Sequence, residues 1–395
     1  MDVLVLGGGY AGLLVTRKLE RRLPDSATLT LVDDTGSHLV QHELHRAIRN
    51  PEYTDDISVP LTELLERASL REAQVTDIDR EARTVSLADG DELGYDYCVV
   101  AFGAQTAYYD IEGLRANATP LKRLEHAAAI RREFEAVIDQ LGHDDPEATT
   151  ERSGRVVVGG AGLSGVQVAG ELAAMARDRG VEDDIEVLLL EQLLTVAPGF
   201  PEPFQRATHE RLEAQGVTVR TDTTVTVVDE RQISTEAGGI DYDQFVWTGG
   251  IRGNDAMGGD RPQVRADLRL DAHTFALGDA VRIVDADGEP VPASASAAVR
   301  AAETAAKNVT ASVTADGGFV DIEQWNWESP GWLISVGDDA VAQIGPSVVT
   351  GSAANALKSA VGVTYLAEHG SLRRALGVLR KEADGEEISK LLKRL

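Results

Sequence analysis

The sequence predicts an α/β protein built from two copies of one strand, glycine turn, helix and strand unit, with a smaller α+β region at its C-terminal end. Three observations lead there. A short apolar run at the start of the chain opens straight into GGGYAG, the same arrangement returns in mid-chain as VVVGGAGLSG, and each copy closes on a second apolar run that ends in an acid.

In the first copy, Val3 to Leu6 is an all-apolar run of the kind that a parallel strand buried on both faces requires. Gly7, Gly9 and Gly12 then fit G-x-G-x-x-G, and Leu13, Leu14, Arg17, Lys18, Leu19 and Arg21 continue with helical spacing. The apolar run from Thr28 to Val32 ends in Asp33, 21 residues after Gly12. Each part has a physical task in holding a dinucleotide. Gly7 makes the tight turn, Gly9 lets backbone approach a pyrophosphate, and Gly12 lets the helix pack close to the strand. The helix N-terminus offers N–H groups and a positive dipole end to the phosphates, and Asp33 is placed to accept hydrogen bonds from ribose hydroxyls.

The second copy follows a polar stretch over residues 142–154, GHDDPEATTERSG, which reads as a surface connection. Val156 to Val158 leads into Gly160, Gly162 and Gly165 in the same spacing, VQVAGELAAMA is helical in pattern, and IEVLLLE closes on Glu191. A carboxylate there accepts bonds from a free adenosine ribose and repels a 2'-phosphate, so NADH is expected in preference to NADPH. Two further stretches, VTDIDREARTVSLADGDELGYDYCVV and QISTEAGGIDYDQFVWTGG, alternate apolar and polar residues around glycine-containing turns, as antiparallel ribbons do.

Length and composition bound the function classes. The 395 residues carry 38 Lys plus Arg against 65 Asp plus Glu, a net charge of -27, and 43% hydrophobic residues, enough for two or three folded domains by the rule of about 150 residues each. That field repels phosphate backbones, so a nucleic-acid partner is not expected. Only seven of the basic residues are Lys and the acids are spread along the whole chain, a pattern expected of a salt-rich cytoplasm where self-repulsion is screened. The single cysteine, Cys98, lies in the apolar stretch YDYCVVAFG and reads as a core residue, so no disulfide framework, redox pair or cysteine-rich metal site is expected. No run approaches the 18 or so apolar residues of a membrane span, and MDVLVLGGGY leads straight into the turn with no basic leader, from which a cytoplasmic location is expected.

Two such units in one chain resemble the two-dinucleotide-binding-domain flavoproteins, the pyridine nucleotide-disulfide oxidoreductase superfamily. The resemblance implies two Rossmann-like domains, an NADH domain inserted into an FAD domain, with FAD and NADH as cofactors. It implies FAD segments at residues 1–115 and 255–318, an NADH domain at 116–254, and a C-terminal region at 319–395. It is carried further by TFALGDA at Thr274 to Ala280, whose Asp279, preceded by Gly278, matches the family's acid on the ribityl chain, and by VVAFGA, which contributes Gly103. One cysteine cannot supply the redox pair of the disulfide-reductase branch or the several cysteines of the sulfide-oxidising branch. The branch that remains most similar is the type II, single-subunit NADH:quinone oxidoreductases, through GLSGVQVAGEL, VWTGGIRGN with Gly249, and GWLISVGDDAVAQIG. It implies hydride transfer from the nicotinamide to the flavin and then two electrons to a quinone-like acceptor.

Three departures from that pattern stand out. Gln167 occupies a position where family members carry Glu, and Gln cannot titrate. The quinone-site glutamines fall on Ser296 and Arg300 in PASASAAVR. The stretch HLVQHELHR lacks the family's Pro-Leu-Leu, and its His38, His42 and His45 read either as groups facing the flavin or a proton path, or as surface or helix-packing histidines. Lys358, in NALKSAVG, resembles the family's lysine near the flavin edge, with a solvated helix lysine as the other reading.

Residues 371–395 hold seven Lys or Arg against four acids, with Leu372, Leu376 and Leu379 on one helix face and Ile388, Leu391, Leu392 and Leu395 on another. Such a tail fits peripheral membrane contact, or packing on the protein or in a homodimer. Two rival functions remain at this point: an NADH-dependent reductase of a small iron-sulfur protein, and a sensor or assembly protein that binds FAD and NADH with little turnover.

Overall fold

The computed structural model describes residues 1–141, 153–315 and 320–369. Most of the connection expected over 142–154 and all of the tail expected over 371–395 lie outside the described residues. The chain forms two compact units. The first comprises Met1–Val40, Ser58–Gln105 and Ile251–Glu328, and the second Gln41–Ile57, Thr106–Gly250 and Ser329–Leu395.

Ten strands build the two parallel sheets: β1 (Asp2–Leu6), β2 (Thr28–Asp33), β3 (Ser69–Glu72), β4 (Tyr97–Val100), β5 (Thr119–Pro120), β6 (Gly154–Gly159), β7 (Ile185–Leu190), β8 (Val217–Arg220), β9 (Gln244–Trp247) and β10 (Thr274–Ala276). The helices that matter for the site are α1 (Tyr10–Arg22), α2 (Leu124–Leu141), α3 (Leu163–Arg179), α4 (Ala295–Thr314) and α5 (Ser352–His369). In the first unit the sheet order is β10-β4-β1-β2-β3, and in the second it is β5-β9-β6-β7-β8. All pairings within both sheets are parallel. The glycine turn follows the central strand in each, β1 or β6, and the acid ends or follows the next strand outward, β2 or β7.

The apolar runs form strands because both faces of a central parallel strand are covered. Val3, Val5 and Leu6 are fully buried, as are Val156, Val157 and Val158, each side chain removed from water contributing roughly 1.5–3 kcal/mol. The helix α1 lies along α4 in the first unit, joined at its solvent edge where Lys18 and Arg22 both pair with Glu303, at 2.7 and 2.6 Å. The two alternating stretches form three-stranded antiparallel ribbons, one of Val75–Asp79, Thr84–Leu87 and Glu92–Gly94, the other of Val225–Val228, Gln232–Thr235 and Gly238–Asp241. The second unit also holds an antiparallel sheet of β11 (Trp332–Val336), β12 (Asp339–Ile344) and β13 (Ser347–Thr350), with α5 packed on it.

The helix α3 is apolar nearly all round, with residues from Val168 to Ala176 buried without a break. It lies between the parallel sheet and β11. Gly170 makes the second contact, since a Cβ on it would meet the Gly337 backbone nitrogen at the end of β11. Along the middle turns that are covered on two sides, a polar residue has nowhere to go but inside.

The glycine spacing has a steric test. A Cβ on Gly12 would fall on the Gly7 carbonyl oxygen, whereas a Cβ on Gly9 would have nothing within 4 Å. Gly12→Ala should therefore destabilise the protein by about 1–3 kcal/mol. Gly9→Ala, at an ordinary backbone geometry of φ -69°, should cost under about 0.5 kcal/mol, both read by chemical denaturation.

Candidate nucleotide crevices and a buried polar cluster

The two glycine turns repeat each other in atomic detail. Gly7 has φ +99° and Gly160 φ +93°, both left-handed. A Cβ on Gly7 would run into Phe102, in the turn that follows β4, and one on Gly160 would come within 2.5 Å of Gly249 Cα, in the turn that follows β9. Gly165 repeats Gly12, since its Cβ would strike the Gly160 carbonyl oxygen. AFG and TGG, each after its strand, are thus the matching walls of the two turns. Gly249 also packs flat on the Trp247 ring, whose Nε1 donates to the Ala107 carbonyl at 2.8 Å.

Both helix N-termini are uncapped by side chains. Gly9 is the N-cap of α1 and Gly162 the N-cap of α3, and a Cβ on either would enter open space. Each turn therefore leaves N–H groups and a cleared approach where a phosphate could bind. The donor set and the space fit an FAD pyrophosphate in the first unit and an NADH pyrophosphate in the second.

The terminal acids hold the turns shut. Asp33 Oδ2 accepts the Gly8 N–H at 2.7 Å, and Oδ1 accepts from Thr35 N, Thr35 Oγ1 and Gly36 N at 2.9, 2.8 and 3.0 Å. Glu191 does the same work in the second unit, taking the Ala161 N–H at 2.7 Å and the Leu193 N–H at 2.9 Å. Both carboxylates are buried. Each retains lone-pair capacity for a ribose hydroxyl, but their first partners are backbone. His38 completes the first turn, its Nδ1 lying 2.9 Å from the Gly8 carbonyl and its ring edge-on to Tyr10.

The remaining expected residues of the first unit line turns and helix ends. Gly103 has φ +72° with open space beside it. Gly278, at φ +68°, sits in the 3-10 turn Gly278–Ala280, near Ala11 of α1 and Ala298 of α4. Arg261 donates to the carbonyls of Asp279 and Val281 at 2.7 and 2.8 Å and so fixes the backbone that presents the half-buried Asp279. Ser296 is half-buried in the first turn of α4, and Arg300, one turn on, is exposed.

The second unit gathers a set of polar side chains in its interior. Half-buried Gln167 on α3 donates from Nε2 to Ser335 Oγ of β11 at 3.4 Å. Ser335 Oγ lies 2.8 Å from His45 Nε2, which is 3.8 Å from Glu171 Oε1 and 3.5 Å from Lys358 Nζ. Exposures are 2% for Ser335 and His45, 4% for Glu171 and 8% for Lys358. Burial excludes the solvated reading of Lys358 and the surface reading of His45. Next to them Glu43, also buried, pairs with Arg46 Nε at 2.8 Å and lies 3.5 Å from His42 Nε2.

Burial raises the Glu171 carboxyl to about 7, against the opposing pull of Lys358, Arg49 and Arg46. Burial also drives His45 well below its ordinary value, helped by the positive charges of Lys358 and Arg46. Glu43 goes the other way: burial pushes its carboxyl up, but Lys358, Arg46 and His42 outweigh that and hold it down. Cys98 is fully buried, and burial pushes its thiol far up, so it stays protonated. The sequence reading does not single out Glu171 or Ser335. The available signal was one acid, four residues after Gln167, in the otherwise apolar VAGELAAMA.

Comparison with known proteins agrees with this architecture. The model of the pyridine nucleotide-disulphide oxidoreductase family matches residues 1–302. A type II NADH:quinone oxidoreductase of Staphylococcus aureus is 26% identical over 382 residues, covering 91% of this chain and 93% of its own length. Among solved structures, NDH2 from Plasmodium falciparum in complex with NADH has TM-score 0.82 at 16% identity, covering 96% of this chain and 97% of that one. The sulfide:quinone oxidoreductase from Aquifex aeolicus has TM-score 0.75 at 18% identity, covering 94% and 92%. With two glycine-turn folds in place and a family model that spans both, the chain belongs to the pyridine nucleotide-disulphide oxidoreductase family.

Proposed function

We propose that this chain is an FAD-dependent NADH dehydrogenase that passes two electrons to a quinone-like acceptor. One observation carries the reading: two uncapped glycine-turn crevices occur in a chain whose single cysteine is sealed in an apolar core. Nothing sulfur-based can relay the electrons, so a diffusible acceptor takes them directly. The likeness to a type II NADH:quinone oxidoreductase over 91% of the chain supports a quinone as that acceptor.

FAD, when bound, supplies the redox chemistry, taking a hydride equivalent from NADH and releasing two electrons. The chain supplies position and electrostatics. In the first unit Gly7, Gly9 and Gly12 shape the turn under the FAD pyrophosphate, Asp33 offers its remaining lone pair to a ribose hydroxyl, and Gly103, Gly278 and Asp279 border the rest of the cofactor. In the second unit Gly160, Gly162, Gly165 and Gly249 do so for NADH, with Glu191 toward the adenosine ribose. Gln167 and Lys358 are assigned to the reacting end, Gln167 as a hydrogen-bonding amide and Lys358 as a buried cation that stabilises developing negative charge. Ser296 and Arg300 are assigned to the quinone.

A lipid-soluble acceptor calls for contact with a bilayer. Among the described residues no helix is long and apolar enough to cross a membrane. The basic segment 371–395 is therefore proposed as a peripheral contact on the cytoplasmic face, made by a monomer or a homodimer.

Purified protein should be yellow, and anaerobic NADH should bleach it, with colour returning on addition of a soluble quinone. A colourless preparation that takes up no FAD would end the proposal. Gly9→Ala should lower FAD retention and Gly162→Ala should raise the KM for NADH, each about tenfold, with folding intact by circular dichroism; equal retention and KM would show that no phosphate approaches there. With Glu191 facing the ribose, kcat/KM should favour NADH over NADPH by at least about tenfold.

A further inference from the structure

The two glycine turns orient their middle residue with different atoms. In the second turn the Ala161 N–H donates to Glu191 Oε2 at 2.7 Å, and the Ala161 carbonyl accepts the main-chain N–H of Ala197 at 2.8 Å. Gly8 stands at the matching place in the first turn. Its N–H donates to Asp33 Oδ2 at 2.7 Å, as the repeat leads one to expect, but the atom that meets its carbonyl belongs to a side chain, His38 Nδ1, at 2.9 Å.

A carbonyl oxygen only accepts, so Nδ1 must carry a hydrogen. The imidazole is firmly placed for this use. Its strand Ser37–Leu39 pairs with Ser58–Pro60, with His38 opposite Val59. The residue is buried, and Tyr10, the first residue of α1, meets the ring edge-on at 5.4 Å between centroids. Asp33 closes the arrangement: Oδ2 holds the Gly8 N–H, while Oδ1 holds Thr35 and Gly36, the turn that delivers His38 to the Gly8 carbonyl.

What the bond does follows from peptide geometry. A trans peptide is planar, with its C=O and N–H pointing in opposite directions. The Gly8 carbonyl and the Gly9 N–H belong to one such peptide. Fixing the carbonyl on His38 therefore aims the Gly9 N–H away from His38, at the uncapped start of α1, where a Cβ on Gly9 would meet nothing within 4 Å. With glycine on both sides, this peptide has little steric preference of its own, and an outside donor selects its orientation.

We propose that His38 is the positioning residue of the first turn: its Nδ1–H holds the Gly8 carbonyl and so presents the Gly9 N–H to the pyrophosphate of FAD. This role rests on FAD occupying that turn, as proposed above. In the second turn a main-chain amide does the same work, so loss of one imidazole should loosen the first crevice and spare the second.

Two substitutions separate the donor from the packing of the ring. His38→Leu keeps bulk and removes the N–H, whereas His38→Asn gives up bulk and keeps an N–H at the same bond distance from Cβ as Nδ1. Flavin fluorescence after dilution of the FAD-loaded protein reads the rate of cofactor release. His38→Leu should release FAD about tenfold faster than wild type, and His38→Asn within about threefold of it, the loss of one hydrogen bond setting the scale. The Kd for NAD+, measured by calorimetry on the FAD-loaded proteins, should be the same in all three. Equal release from wild type and His38→Leu overturns the role. Equally fast release from both variants also overturns it, since the ring would then act by packing alone, and so does a parallel loss of NAD+ affinity, which would mark a general loosening. A nitrogen NMR spectrum with isotope-labelled histidine tests the donor even if His38→Leu does not fold. The ring signals present in wild type and missing from His38→Asn should be those of an imidazole protonated on Nδ1, and a ring protonated on Nε2 alone overturns the proposal. A wild-type chain that binds no FAD ends the flavoprotein reading and the role with it, whereas FAD held equally well by wild type and His38→Leu ends the role alone.

Discussion

The two nucleotide folds depend on how closely the first turn of a helix can approach the carbonyl at the end of the central strand. Gly12 against the Gly7 carbonyl, and Gly165 against the Gly160 carbonyl, leave no room for a methyl group. That approach aims the start of the helix at the strand end and leaves its first N–H groups pointing outward. Where the tightness is greatest the residue is glycine, and where a ligand must come near it is again glycine, with open space instead of backbone beside it. The same residue type thus does two different jobs within six positions, and geometry separates them where the motif alone does not.

The second unit adds a constraint of another kind. Because α3 is held between a parallel sheet and an antiparallel one, with Gly170 pressed on Gly337, no face of it is left for solvent along its middle turns. Glu171 is buried as a consequence of packing. Its partners then follow from chemistry: a buried carboxyl must find cations or keep its proton, and Lys358, Arg46 and a neutral His45 surround it on terms that leave both states within reach near neutrality.

What could be read from the sequence was local. The glycine turns, the apolar strands and the acids at their ends stand within about thirty residues of each other, and the ribbons declare themselves by alternation around their turns. Gln167 could be marked because it replaces an expected acid. The cluster behind it could not be assembled, because His45, Glu171, Ser335 and Lys358 are spread over more than three hundred residues and meet only when the C-terminal sheet closes over α3. Lys358 had two readings for the same reason, since helical spacing in NALKSAVG says nothing about which neighbour covers it. The roles of Asp33 and Glu191 were half legible: the ribose-facing function follows from position, but their grip on the turn N–H groups follows only from distances.

That grip bears on how such a protein can change its coenzyme. Removing Glu191 to admit a phosphorylated adenosine would release the Ala161 and Leu193 amides together, so selectivity and foldability are written into a single side chain. Redesign, whether by selection or in the laboratory, has to leave that acid alone and work from its neighbours, Gln192 and the outward-facing Leu194, where an arginine could greet the extra phosphate without untying the loop.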